Sequence, residues 1–317
     1  MLNNISSKLN LKRIFANILN RRKLKILKYN KQLSNKLNIT LEDFQNYHLL
    51  NEFNKNYNIN IKEIDVIDLQ LFLKNLGNKG LNDLSKIKFK ELIELNLNKN
   101  NISDIKVLEK VEFNKLEKLY LNQNKIEDIN VLEKVNFKNL KILYLNDNKI
   151  KDINVLEKVN FKNLKILYLN ENKIKDINVL EKVNFKNLEI LYLNENKISD
   201  ITIFEKVIFP KLEKLYLKKN EIIDINILDK VNLKELRILD LSHNYISDII
   251  VFEKVKFSKL EELNISKNCI DKDNYKSLIS NLYDKIDDFI IDDDEDELEK
   301  AYYRYDCYNN DKYLELK

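Results

Sequence analysis

The chain has 317 residues, 33% of them charged, with a formal net charge of +4, two glycines, one proline and two cysteines. Two cysteines (Cys269, Cys307) exclude a disulfide-rich scaffold and argue for a reducing compartment, cytoplasmic or else nuclear. No apolar run approaches the ~20 residues of a membrane span. The charge is unevenly spread: residues 1–40 hold ten Lys or Arg and no acid, while 284–299 is strongly acidic.

Residues 1–67 read as a small helical unit. Leu11, Ile14, Phe15, Ile18 and Leu19 fall on one helical face. After Asn20-Arg21-Arg22 a second face follows, with Leu24, Leu27, Tyr29, Leu33 and Leu37. Thr40 with Asp43 predicts the start of a third helix near 41–53. The segment LKRIFANILNRRKLKILKYNKQLSNKL resembles an F-box through Ile14-Phe15 and the leucines Leu24 and Leu27. It lacks the usual Leu-Pro opening, and Tyr29-Asn30-Lys31-Gln32-Leu33 stands in place of Val-Cys-x-x-Trp. The resemblance implies docking of the linker subunit of a cullin-type ubiquitin ligase through 9–38. By themselves the residues read as a helical cap or docking unit. Their basic side chains suit a solvated face or an anionic partner. No Gly-rich loop or interleaved aromatic series accompanies them, so a nucleic-acid partner is not expected.

From Leu92 a 24-residue unit recurs at Leu116, Leu140, Leu164, Leu188, Leu212 and Leu236, with an incomplete copy at Leu260. A fixed period of this size signals a solenoid. In the unit from Leu116, Leu119 and Leu121 alternate with Lys118, Tyr120 and Asn122, which predicts a short strand buried on one face. Asn124, at the ninth position, is placed to satisfy turn backbone. Asp128, at the thirteenth, is placed to cap a helical turn. Ile126, Ile129, Leu132, Val135 and Phe137 return the apolar face inward. Leu71, Leu73, Leu84, Ile87 and Phe89 stand 24 residues before Leu95, Leu97, Leu108, Val111 and Phe113. So 68–91 reads as a degenerate first repeat, with Leu76 in the ninth position and both glycines, Gly77 and Gly80, in its turn.

The pattern L-x-x-L-x-L-x-x-N-x-I-x-x-I-x-x-L resembles the leucine-rich-repeat family, closest to internalins and phosphatase-regulator-like repeats. The resemblance implies an α/β solenoid over 68–282. It would be a right-handed horseshoe with a concave parallel sheet and short helical turns on the convex side. Seven full repeats would span 92–259, with a cap at 260–282.

The resemblance also implies that a protein partner binds the concave face. The residues pointing there form rows. The fifth position gives Tyr120, Tyr144, Tyr168, Tyr192 and Tyr216, then Asp240; the third gives Ile142, Ile166 and Ile190, then Lys214. The seventh gives Asn98 to Asn194 and then Lys218; the eighth gives Asp147, Glu171 and Glu195 between Lys99 and Lys219, then His243. Five half-exposed rings would leave roughly 400–600 Å² of aromatic surface, the size of a functional patch. The plainer alternative is a tyrosine stack that only stiffens the sheet. Asp240 is a candidate to orient His243, but no activated nucleophile faces that histidine, so catalysis is not expected. The cysteines and histidines lack metal spacing, and neither metal nor cofactor is expected.

After Leu260, the residues Tyr275, Leu278, Ile279 and Leu282 have helical spacing suited to covering the open end. Residues 283–317 read as an acidic, tyrosine-rich tail. Counted from Asp292, a calcium loop would need Gly and Glu where Glu297 and Tyr303 stand, which rejects it.

Overall fold

The structure, a computed structural model, describes residues 41–255 and 257–291. The F-box-like segment, Thr40, the acidic tail and Cys307 lie outside them. Ten strands form one open, fully parallel sheet in chain order. They are β1 (Asp68–Gln70), β2 (Glu94–Asn96), β3 (Lys118–Tyr120), β4 (Ile142–Tyr144) and β5 (Ile166–Tyr168). Then come β6 (Ile190–Tyr192), β7 (Lys214–Tyr216), β8 (Ile238–Asp240), β9 (Glu262–Asn264) and β10 (Asp288–Ile290). Each strand is three residues with only its central residue buried, because its neighbours face solvent and the next leucine packs beneath the turn.

Between strands the chain returns through single 3₁₀ turns, such as Asn130–Glu133 and Asn154–Glu157. The aspartates at the thirteenth position set them up. Asp128 and Asp152 Oδ1 accept from the backbone N–H two residues on, at 2.8 Å in each case. Behind the sheet lies one continuous apolar core that runs from Leu50 to Ile291. Its outer layer includes Phe113 and Phe137, whose rings lie 6.4 Å apart.

The ninth-position asparagines hold the repeats together. Asn124 Nδ2 donates to the carbonyls of Leu97 and Leu121 at 3.0 Å, and Oδ1 accepts from Asn100 N and Ile102 N at 3.0 Å. Asn148, Asn172, Asn196, Asn220 and Asn244 are likewise buried and bonded. Backbone groups left unpaired at these sites would each cost about 1–3 kcal/mol.

The N-terminal end is wound differently from the 24-residue expectation. Leu69 pairs with Leu95 and Asp68 with Glu94, a 26-residue step. Leu69 and Leu71 are therefore the buried strand leucines, and Leu73 is 65% exposed with φ of 53°. Lys74 takes the ninth position and Leu76 the eleventh, where it is buried. Both Lys74 N and Leu76 N donate to Asn100 Oδ1. The two additional residues are absorbed by helix α2 (Gly77–Leu84), which replaces the 3₁₀ turn. Leu84, Ile87 and Phe89 keep their core places.

Ahead of this repeat lies helix α1 (Leu41–Tyr57), four residues longer than the spacing predicted. Its Leu50 and Phe53 join the solenoid core. Its buried Asn46 grips Lys88 in both directions, donating to the carbonyl at 2.8 Å and accepting from the N–H at 2.7 Å. Tyr57 donates to Asp83 at 2.9 Å, and burial together with that carboxylate pushes its hydroxyl up to about 12.

At the other end, helix α3 (Lys276–Lys285) buries Leu278 and Leu282. The sheet then continues past residue 282 into β10, again with a 26-residue step from Glu262 to Asp288. Phe289 and Ile291 are buried there without a leucine signature, which is why the repeat pattern does not reveal this strand.

Candidate partner-binding face

The exposed face of the sheet carries the rows in the expected order. Parallel pairing places Ile142, Ile166 and Ile190 side by side, and likewise Tyr144, Tyr168 and Tyr192. Lys118 precedes the isoleucines and Lys214 follows Ile190. The five tyrosine rings stack with centroids 4.6, 4.2, 4.2 and 4.4 Å apart and planes within 13° of parallel. Burial by neighbouring rings, then the adjacent Tyr144 and Tyr192 hydroxyls, raise the Tyr168 hydroxyl well above its ordinary range. Tyr216 is raised too, by burial first and Tyr192 second.

The seventh row does a job that spacing alone did not assign. Asn98 Oδ1 accepts from Asn122 N at 2.7 Å, and Asn122, Asn146 and Asn170 repeat this bond to Asn146, Asn170 and Asn194. Asn194 accepts in turn from Lys218 N at 2.9 Å. This is a second asparagine ladder, at the surface, that continues the hydrogen bonding where the strands stop. Five asparagines at one repeat position were its visible signal.

The eighth position has a backbone role as well. Lys99, Gln123, Asp147, Glu171, Glu195, Lys219, His243 and Lys267 all have φ between 50° and 56°. The left-handed region is costly for such residues, so their repetition marks a fixed turn that ends every strand. Asp147, Glu171 and Glu195 thereby stand in one file beside the tyrosines. Glu195 pairs with Lys219 at 2.8 Å. Burial, then the charges of Glu195 and Asp147, push the Glu171 carboxyl up.

At the far end, Asp240 Oδ1 accepts from Ser242 N at 2.9 Å and Ser242 Oγ at 2.6 Å. That oxygen is engaged by the strand end. At the near end, the 26-residue step brings Phe72 into the seventh row and Leu73 into the eighth. Lys99 Nζ lies 5.5 Å from the Phe72 ring centre. Among the described residues no group of His, Cys, Asp and Glu is arranged to hold a metal ion, and no helix is long and apolar enough to cross a membrane.

Residues 90–134, 114–158, 138–182, 162–206 and 210–254 each match the family model for leucine-rich repeats in two copies. The chain belongs to the leucine-rich-repeat family. Among solved structures, internalin C2 of Listeria monocytogenes is 23% identical over 70% of this chain and 91% of its own, with a TM-score of 0.50. A leucine-rich-repeat protein of Leptospira interrogans is 21% identical over 65% of this chain and 62% of its own, with a TM-score of 0.47. No curated protein sequence matches this leucine-rich-repeat chain.

Proposed function

We propose that this leucine-rich-repeat protein is a recognition module that holds a protein partner on the exposed face of its sheet. The tyrosine stack carries the reading. Five parallel rings, about 19 Å from first to last at the ordinary strand spacing, form a rigid platform flanked by isoleucines. Rings already held in place lose little freedom when a partner covers them, and tyrosine contributes both apolar area and a hydroxyl.

The test is replacement of Tyr144, Tyr168 and Tyr192 by Ala together. The expected result is loss of partner capture with an unchanged circular-dichroism spectrum. Retained capture overturns the reading and leaves the stack as a stiffener. Two narrower forms rest on sequence resemblance: an adaptor in which 9–38 holds a ubiquitin-ligase linker subunit, and a regulatory subunit of an enzyme such as a protein phosphatase. Co-purification of the linker through 9–38 tests the first. Inhibition of the captured enzyme by the full chain tests the second.

A further inference from the structure

We infer that the segment taken by this face is a basic amphipathic helix of a partner protein; the inference rests on the reading above and specifies its ligand. Elsewhere on the sheet several neighbouring repeats pair opposite charges. Lys141 meets Glu117 at 2.8 Å, Lys165 meets Glu189 at 2.7 Å and Arg237 meets Glu261 at 2.6 Å. The eighth row sets Asp147, Glu171 and Glu195 on adjacent repeats, and only Glu195 is paired, with Lys219 at 2.8 Å. Among the described residues, Asp147 and Glu171 form no salt bridge. Like charges opposite one another are destabilising, so Asp147 and Glu171 stand as uncompensated negative potential beside the apolar rows. A cationic ligand stripe supplies the compensation.

The dimensions select a helix. Repeats stack about 4.8 Å apart, close to the 5.4 Å helical pitch, so one turn meets about one repeat. In an extended chain, same-side residues recur only every ~6.7 Å. Five tyrosine-bearing repeats match a helix of about 13 residues. From the third to the eighth position the face is about 16 Å wide, enough for a helix of 10–12 Å diameter. A helix lying across the strands rests its apolar side on Tyr144, Tyr168, Tyr192 and the isoleucines. Its Lys or Arg residues at i, i+4 and i+7 stand over the three carboxylates.

The experiment uses the full chain and two synthetic 14-residue amphipathic peptides with the same leucine face. One carries lysines on its polar side and the other glutamates. Fluorescence anisotropy is expected to show at least tenfold tighter binding of the lysine peptide. The triple variant Asp147→Asn, Glu171→Gln, Glu195→Gln should remove that preference and flatten its salt dependence. Carbodiimide coupling should join peptide lysines to those carboxylates. Equal binding of both peptides, or no change in the triple variant, overturns the charge assignment while leaving the tyrosine platform intact. Failure of both peptides to bind, with tyrosine-dependent capture persisting, overturns the helix. Coupling of the carboxylates to lysines of residues 1–40 instead overturns the external partner and makes the chain's own leader the occupant. Loss of the platform itself is read separately, from the tyrosine-to-alanine capture assay.

Discussion

Asn100 donates its side-chain amide to the Leu71 carbonyl at 2.7 Å across 29 residues, whereas Asn124 makes the same bond to Leu97 across 27. The difference is the two-residue insertion of the first repeat. The asparagine ladder is therefore kept at the N-terminal end although the repeat length is not. The last repeat shows the same substitution, a 26-residue step carrying α3. A longer helical return at each end buries more apolar surface where no further repeat stacks, which is what a quasi-one-dimensional fold requires of its termini.

Gly80 should prove indispensable to this end repeat. A Cβ there would lie 2.6 Å from Leu76 Cβ and 3.2 Å from the Tyr57 ring. Neither neighbour can yield without moving the α1–α2 packing. Gly80→Ala is expected to cost about 1–2 kcal/mol, because ~1–3 kcal/mol of overpacking exceeds the ~1 kcal/mol gained by alanine in a helix. Hydrogen exchange should localise the loosening to α1 and α2. Gly77, at φ of 55° with open space around it, should lose only about 1 kcal/mol on the same change, from left-handed strain alone.

The interior of this fold was plain in the sequence, because leucine, isoleucine and asparagine recur at fixed positions and each position has one structural job. The ends were less plain. Leu71 and Leu73 have leucines 24 residues on as well as partners 26 residues on, and only strand pairing decides between the two registers. β10 was hidden because its buried residues are Phe289 and Ile291 rather than leucines. On the exposed face, the row order was legible from period-2 alternation. The left-handed turn at Asp147 and Glu171 was not, since glycine or asparagine, the usual markers of such a turn, are absent from that position.

The buried and surface asparagine ladders should differ in cost. Asn148→Ala removes donors from the Leu121 and Leu145 carbonyls and the acceptor for Ile126 N, all out of contact with water. A loss of about 3 kcal/mol or more is expected, from ~1–3 kcal/mol per orphaned group. Asn146→Ala removes one acceptor, for Asn170 N, on the half-exposed face and should cost about 1 kcal/mol. Urea denaturation of the two variants side by side checks the ranking.

Glu171→Gln should stabilise the protein at neutral pH. The folded environment raises this carboxyl above its ordinary 4.5, through burial and then the charges of Glu195 and Asp147. Its contribution to stability is complete below pH 4.5 and is lost as pH rises through the higher folded value. Removing the charge at pH 7 should recover about 0.3–1 kcal/mol, the scale of a like-charge cross-strand contact. The gain should shrink in high salt and vanish in melts at pH 4.

Alkaline pH should unfold the protein partly through the tyrosine stack. Tyr120, Tyr168 and Tyr216 all titrate above the ordinary value of 10 because burial disfavours the phenolate. A folded value raised above the unfolded one means the folded state holds its proton more tightly. The stability this contributes is fully present below pH 10 and is lost as pH rises toward the folded values. The melting temperature should thus fall progressively above about pH 10. Lysine titration contributes to the same fall, so the comparison that isolates the stack is the double variant Tyr168→Phe, Tyr216→Phe. Phenylalanine keeps the ring contact and carries no titrating hydroxyl. Melts between pH 8.5 and 11.5 should show a shallower decline in the double variant, and parallel curves would locate the alkaline sensitivity elsewhere.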